Sequence, residues 1–144
     1  MTPPVQPAQP HDFDGIAELL RDNKLPTDGL RDHLATALVV RDAERIVGSA
    51  ALEVYEDGAL LRSVAVAPAL RSTGLGRQLT DAAIELARAR GVPALYLLTT
   101  TADQYFPRFG FERIDRSRVP AGVQRSVEFT SACPASAIVM RRVL

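Results

Sequence analysis

The sequence predicts an α+β fold, with a mixed, mostly antiparallel sheet, a central parallel β-α-β unit and helices on both faces. Three observations carry this. Between Ala37 and Val66, apolar segments are separated only by short turns, the pattern of an antiparallel meander. An amphipathic stretch, Leu75–Arg90, then separates the apolar run Ala59–Val66 from the apolar run Ala94–Thr99. A crossover of that kind is right-handed and makes its two strands parallel. Short strands at Phe111–Ile114 and Ala137–Arg142 complete the sheet.

The elements follow in order. Pro3, Pro4, Pro7 and Pro10 predict an irregular lead-in with at most a short strand around Val5. Asp12 caps a helix to about Asn23, whose Phe13, Ile16, Leu19 and Leu20 share one face. Lys24-Leu25-Pro26 ends it, and Thr27 or Asp28 starts a second short helix to about Leu34. Ala37–Asp42 and Ile46–Tyr55 are strands joined by Ala43-Glu44-Arg45. Glu56-Asp57-Gly58 is a hairpin signal that returns the chain as Ala59–Val66. In Leu75–Arg90, Leu75, Leu79, Ala82, Ala83, Leu86 and Ala87 line one face; Gly91 and Pro93 end the helix. Ala94–Thr99 alternates little, as a strand covered on both faces does. Short helices are expected from Thr101 or Asp103 to Phe109 and over Pro120–Phe129.

Length and composition narrow the function classes. The 144 residues fit one domain, 1–144. Lys plus Arg and Asp plus Glu both number 17, so no net field draws nucleic acid or an anionic membrane. One cysteine, Cys133, excludes an internal disulfide framework and fits a reducing compartment. No apolar run approaches the ~18 residues of a membrane span, and Met1-Thr2-Pro3-Pro4 does not open a signal peptide. The expected location is cytoplasmic. His11 and His33 form no recognisable metal motif, so no metal is expected.

Chemistry concentrates in Arg71-Ser72-Thr73-Gly74-Leu75-Gly76, between a strand and a helix. Such a loop turns the N–H groups of a helix N-terminus toward an anion. Arg71 adds positive charge, and Gly74 and Gly76 leave out the Cβ atoms that would hold a ligand off the backbone. A P-loop is excluded, because the chain has no Gly-Lys pair; a dinucleotide fingerprint is excluded, because Leu79 stands where its third glycine belongs. What remains is R-x-x-G-x-G, preceded by Val64-Ala65-Val66-Ala67-Pro68 and followed by Phe109-Gly110-Phe111. Together these motifs resemble the acetyl-coenzyme A signature of the GCN5-related N-acetyltransferases (GNAT), and the resemblance covers essentially the whole chain.

Several segments resemble the arsenic-resistance N-acetyltransferases, which act on glutamate-like substrates: Ala51-Leu52-Glu53, Leu60–Val66, Tyr96–Ala102, Ser126-Val127-Glu128-Phe129 and Cys133–Ala137. The Leu60–Ser63 stretch is also similar to bacterial amino-acid N-acetyltransferases of arginine biosynthesis. The resemblance implies acetyl transfer from acetyl-coenzyme A, as cosubstrate, to the amine of a small molecule. An acidic amino acid or its arsenic or phosphorus analogue is the first expectation. Glutamate N-acetylation, broader amine acetylation and a non-enzymatic acetyl-coenzyme A sensor are the alternatives. The resemblance further implies direct transfer without an acyl-enzyme, which makes Cys133 a small apolar residue rather than a nucleophile. A homodimer through sheet edges or C-terminal strands is the oligomer it suggests.

It also implies roles. Backbone groups of Val64, Ala65 and Val66 pair with pantetheine as an added strand, and the Val64 N–H faces the thioester oxygen. Arg71, Ser72, Thr73, Gly74, Leu75 and Gly76 hold the pyrophosphate, Arg77 either continuing that basic stretch or being a solvated helix residue. Many family members carry a tyrosine, the acid for the departing thiolate, where this chain has Phe106 against the cofactor. The neighbouring Tyr105 either reaches the sulfur or packs under its helix, water then serving as acid. From the residues themselves, Glu53 lies within an apolar strand, where desolvation would raise its pKa as a general base requires; otherwise it is a surface glutamate. Arg62 alternates with Leu60, Val64 and Val66, and either binds a substrate carboxylate as a fork or pairs internally with Glu53 or Glu128. Thr99 and Thr100 line the cleft where their strand splays from its neighbour, and Lys24, Arg31 and His33 cover the acceptor side.

Overall fold

The computed structural model describes residues 4–144; the expectations at Met1, Thr2 and Pro3 lie outside the described residues. Seven strands form one sheet: β1 (Val5–Pro7), β2 (Ala37–Asp42), β3 (Arg45–Tyr55), β4 (Gly58–Val66), β5 (Ala94–Thr99), β6 (Glu112–Ile114) and β7 (Ile138–Val143). Among the described residues their order is β1-β2-β3-β4-β5-β7-β6, and only β4 and β5 run parallel. The mixed sheet and its central crossover follow the expectation from sequence. Among the described residues, no helix is long and apolar enough to cross a membrane.

Helix α1 (Phe13–Asp22) and helix α2 (Leu75–Ala89) take the boundaries that capping and periodicity predict to within a residue. Ile16, Leu19 and Leu20 of α1 and Leu75, Leu79, Ala83 and Ala87 of α2 are buried in the larger core. Gly48 on β3 makes the α2 contact possible, because a Cβ there would stand 2.8 Å from Leu79 Cδ1. A smaller core, with Leu60, Tyr96, Ile114, Val123 and Val139, lies beneath the single turn α3 (Ala121–Gln124).

Three expected helices take other forms than the sequence suggests. Gly29 takes φ 75°, which delays the second helix to a 3₁₀ turn over Leu30–Thr36. The helix before Gly110 is a 3₁₀ turn, Phe106–Phe109. The helix expected over Pro120–Phe129 divides into α3 and a wide π-type turn, Glu128–Ala132.

The feature that positions the site is a bulge in β4. Ser49 pairs with Ala65 and Ala51 with Arg62, so Ser63 and Val64 together oppose Ala50. Ser63 absorbs the extra residue at φ 58°, and its carbonyl accepts a 2.7 Å hydrogen bond from the Ser49 hydroxyl. On its other side, β4 pairs with β5 only at Ala59–Leu95 and Leu60–Tyr96. Beyond Leu60 the two strands part. Because Leu79 is fully buried between α2 and the sheet, Leu79→Ala is expected to cost about 2–5 kcal/mol of unfolding free energy, read by urea denaturation.

Candidate active site

The parting of β4 from β5 opens a cleft of about 880 Å³. Leu61–Val66 form one wall and Leu97–Ala102 the other, with Arg71, Ser72, Gly74, Gly76 and Arg77 at one end. The Asn23–Pro26 segment and the Glu128, Cys133, Pro134 and Ala137 group close the remaining side. Of the expected cofactor residues, Val64, Ala65, Val66, Arg71, Ser72, Gly74, Gly76, Arg77 and Phe106 line this one cleft; Thr73 and Leu75 belong to the same loop and helix start. A second depression of about 600 Å³ beside β6 shares only Ala137 with it.

The loop has the backbone that its glycines predict. Ser72 and Gly74 take φ 70° and 90°, and Gly74 opens α2 with no atom within 4 Å of where its Cβ would stand. The first N–H groups of α2 have no acceptor within the helix. Leu75 is instead turned into the core. Arg71 donates from Nη2 to the Asn23 side-chain oxygen at 2.6 Å, which ties the loop to the end of α1.

Tyr105 turns into the cleft. Its hydroxyl lies 3.0 Å from the position a Gly76 Cβ would take, so Gly76 is needed for this contact as well as for a ligand. The ring packs against Phe106 and Phe109, each 5.2 Å away between centroids. A regular helical step would have pointed it elsewhere, but Tyr105 sits before a 3₁₀ turn, where that step does not apply. Thr99 Oγ1 accepts from Ala102 N at 2.8 Å and so shapes the turn after β5.

Two expectations are corrected. Arg62 is no unengaged fork awaiting a carboxylate. Its side chain is 0% exposed. Nη1 donates to Glu53 Oε2 at 2.8 Å and to the Asp28 carbonyl at 2.6 Å, and Nη2 to the Pro26 carbonyl at 3.2 Å. Nε donates to Ser63 Oγ at 3.0 Å and lies 3.2 Å from Glu128 Oε2. At most one of its five N–H groups is left. Internal pairing uses both carboxylates named from sequence.

Glu53 is buried, at 1% exposure, and is not part of the cleft lining. Burial pushes its pKa up, but hydrogen bonds from Tyr55, Arg62 and Ser126 and the nearby His33 outweigh burial and hold it below the ordinary value. That is opposite to the upward shift expected of a base. Tyr55 donates to Glu53 Oε1 at 2.5 Å, and His33 Nε2 is 3.7 Å from the same oxygen. His33 thus belongs to this buried group, whereas Arg31 stacks on Phe13 at 3.9 Å.

The carboxylate that does reach the cleft wall is Glu128. Burial raises its pKa to about 7, with Arg62 opposing the shift and Glu53 adding to it. Cys133 donates to Glu128 Oε1 at 3.7 Å, and burial beside that carboxylate pushes the thiol up to about 12. A thiol so shifted is a poor nucleophile. From the sequence Glu128 could be named only as a partner for Arg62.

A family model described as an acetyltransferase (GNAT) domain matches residues 33–113. The chain belongs to the GNAT acetyltransferase family. The amino-acid acetyltransferase of Aeromonas salmonicida (strain A449) is 30% identical over 126 residues, 79% of this chain and 28% of that protein. The amino-acid acetyltransferase of Mycobacterium tuberculosis (strain ATCC 25618 / H37Rv) is 34% identical over 80 residues, 55% of this chain and 45% of that protein. The chain therefore spans less than half the length of these two curated relatives. Among solved structures, Rv2747 from Mycobacterium tuberculosis, in complex with CoA and NLQ, has a TM-score of 0.82 at 25% identity over 99% of both chains. N-acetylglutamate synthase from Neisseria gonorrhoeae, complexed with coenzyme A and N-acetyl-glutamate, has a TM-score of 0.84 at 22% identity, over 98% of this chain and 35% of that one.

Replacing Arg62 by Leu leaves two buried carboxylates without their cation. Arg62→Leu is expected to cost roughly 3–5 kcal/mol of stability near neutral pH. The sign with pH is fixed. An uncompensated buried carboxylate has a raised folded pKa, so its penalty applies where the unfolded chain is ionised and fades below the ordinary value of 4.5. Urea denaturation at neutral and acid pH should show the deficit narrowing on acidification.

Proposed function

We propose that this chain is an acetyl-coenzyme A-dependent N-acetyltransferase. Its acceptor is the amine of an acidic amino acid or of an arsenic or phosphorus analogue. The observation that carries the reading is the parting of β4 from β5 beyond Leu60, which leaves a strand edge leading to a glycine loop at a helix N-terminus.

The residues fit coenzyme A. Val64, Ala65 and Val66 offer backbone groups for the pantetheine amides in the manner of an added strand. Arg71, Ser72, Thr73, Gly74, Leu75 and Gly76 supply the pyrophosphate site, with Arg77 beside it, and open space at the Gly74 Cβ position lets the ligand approach the backbone. Phe106, Thr99 and Thr100 line the same cleft and in this reading mark its thioester end. The thioester supplies an acetyl group to which the amine nitrogen adds. In this reading the Val64 N–H faces the thioester oxygen as charge develops, and loss of one such donor costs ~100- to 1000-fold in rate. The Tyr105 hydroxyl gives the departing thiolate its proton.

The names of the curated relatives support an amino-acid acceptor, and the Neisseria complex contains an acetylated acidic amino acid. Lys24, Arg71, Arg77 and Arg108 line the cleft and suit a molecule that carries carboxylate or phosphate charge. Glu53 and Arg62 act in this reading as the buried support of the acceptor wall.

Free-thiol release from acetyl-coenzyme A, measured over glutamate, aspartate, arsenic- and phosphorus-containing amino acids, polyamines and a lysine peptide, tests the proposal. Turnover is expected with the acidic group. Release with cationic amines alone would overturn the acceptor. Coenzyme A binding without release for any amine would replace the enzyme by a sensor. Gly74→Val strains a residue at φ 90° and fills the cradle, so coenzyme A affinity should fall at least ~10-fold in calorimetry. Unchanged affinity would remove the loop from the site.

A further inference from the structure

We propose that Glu128, rather than Glu53, accepts the proton from the substrate ammonium and holds that amine at the cleft wall. The proposal rests on the N-acetyltransferase reading above and concerns which residue of this chain meets the acceptor.

Arg62, Glu53 and Glu128 form one buried group, with Arg62 within 2.8 Å of one carboxylate and 3.2 Å of the other. Glu53 has Tyr55, Arg62 and His33 against it and stays ionised. One guanidinium therefore already has its counter-charge. The charge on Glu128 is left over, in a place where an uncompensated carboxylate is costly. A proton or a cation must balance it, and a substrate ammonium is such a cation.

Geometry separates the two carboxylates. Glu128 is 4% exposed and lines the cleft with Arg62 and Cys133; Glu53 does not line it. The charged and titratable groups that act most on Glu128 are Arg62 of β4, Glu53 of β3, Cys133 from its own turn and Asp28 from the segment after α1; Arg116, over Phe129, acts on Cys133. Arg62 is the cation that acts most strongly on Glu128. Cys133 stays a neutral thiol beside it. The same environment brings the Glu128 carboxyl to about 7, where it exchanges protons with an amine under ordinary conditions.

The step balances. The ammonium R–NH₃⁺ passes one proton to the Glu128 carboxylate, leaving a neutral amine and a carboxylic acid. The nitrogen lone pair forms a bond to the acetyl carbon and the carbon–sulfur bond breaks. Tyr105 gives its proton to the thiolate, which leaves as free coenzyme A, the second nitrogen proton restores Tyr105, and Glu128 returns its proton to solvent.

The test compares Glu128→Gln and Glu53→Gln with wild type, using glutamate as acceptor. For Glu128→Gln, kcat/KM at neutral pH should fall ~100-fold or more, within the range for a lost general base. Coenzyme A affinity should stay within about threefold, and the acid limb of the pH profile near 7 should disappear. Glu53→Gln should keep that limb. Glu128→Gln turning over within about threefold of wild type, or Glu53→Gln alone losing the limb, would overturn the assignment. A readout independent of turnover is carbon-13 NMR of labelled glutamate carboxyls in wild type. One resonance should titrate near pH 7 and be absent in Glu128→Gln. No carboxyl titrating between about pH 6 and 8 would also overturn it. Absence of wild-type activity with the carboxyl titration intact would count against the acetyltransferase reading instead.

Discussion

A single guanidinium ties the acceptor side of the molecule together. Arg62 reaches a carboxylate on β3, two carbonyls in the segment between α1 and the Leu30–Thr36 turn, and a second carboxylate in the Glu128–Ala132 turn. Backbone carbonyls and carboxylates both need donors once they leave water, and Arg62 supplies several from one buried position. Apart from β3, the segments it joins lie outside the strands and the two long helices. Gly29 allows them to close in, since a Cβ there would stand 2.8 Å from Val127. Removing the cation would leave both carboxylates buried and the surrounding segments without their common donor.

Next to Arg62, the bulge at Ser63 changes the direction of β4. β4 stops pairing with β5 after Leu60, just ahead of the bulge, and keeps its pairing with β3 through to Val66. One face of the crossover unit therefore becomes a cleft rather than a continuous sheet. Helix α2 crosses behind it, held by Leu75, Leu79 and Ala83, and brings its N-terminus to the cleft mouth. The same residues that stabilise the fold thus place backbone N–H groups where an anionic ligand can meet them.

The β-α-β unit and the glycine loop were legible because their signals are local. Strand, loop and helix follow one another within Ala59–Arg90, and spacing alone excludes other phosphate loops. Arg62 was legible as a problem, a charge in an apolar strand, but its solution was not. Its partners come from Pro26, Asp28, Glu53 and Glu128, and no period in the chain links them. For Glu53 the sequence suggested desolvation alone, whereas the structure adds three hydrogen bonds that reverse the sign of the shift. For Tyr105 the sequence leaves two placements open, because it precedes a 3₁₀ turn whose side-chain directions an α-helical period does not give. Glu128 lies in a wide turn that periodicity cannot describe.

In the proposed function the β4 edge beyond the bulge, together with the α2 loop, receives coenzyme A. Amide hydrogen exchange with and without coenzyme A measures this directly. Slowed exchange is expected over Val64–Val66 and over residues 72–77, with little change along β2 and α1. Binding that protects neither stretch, or that slows exchange only around β6, would contradict it.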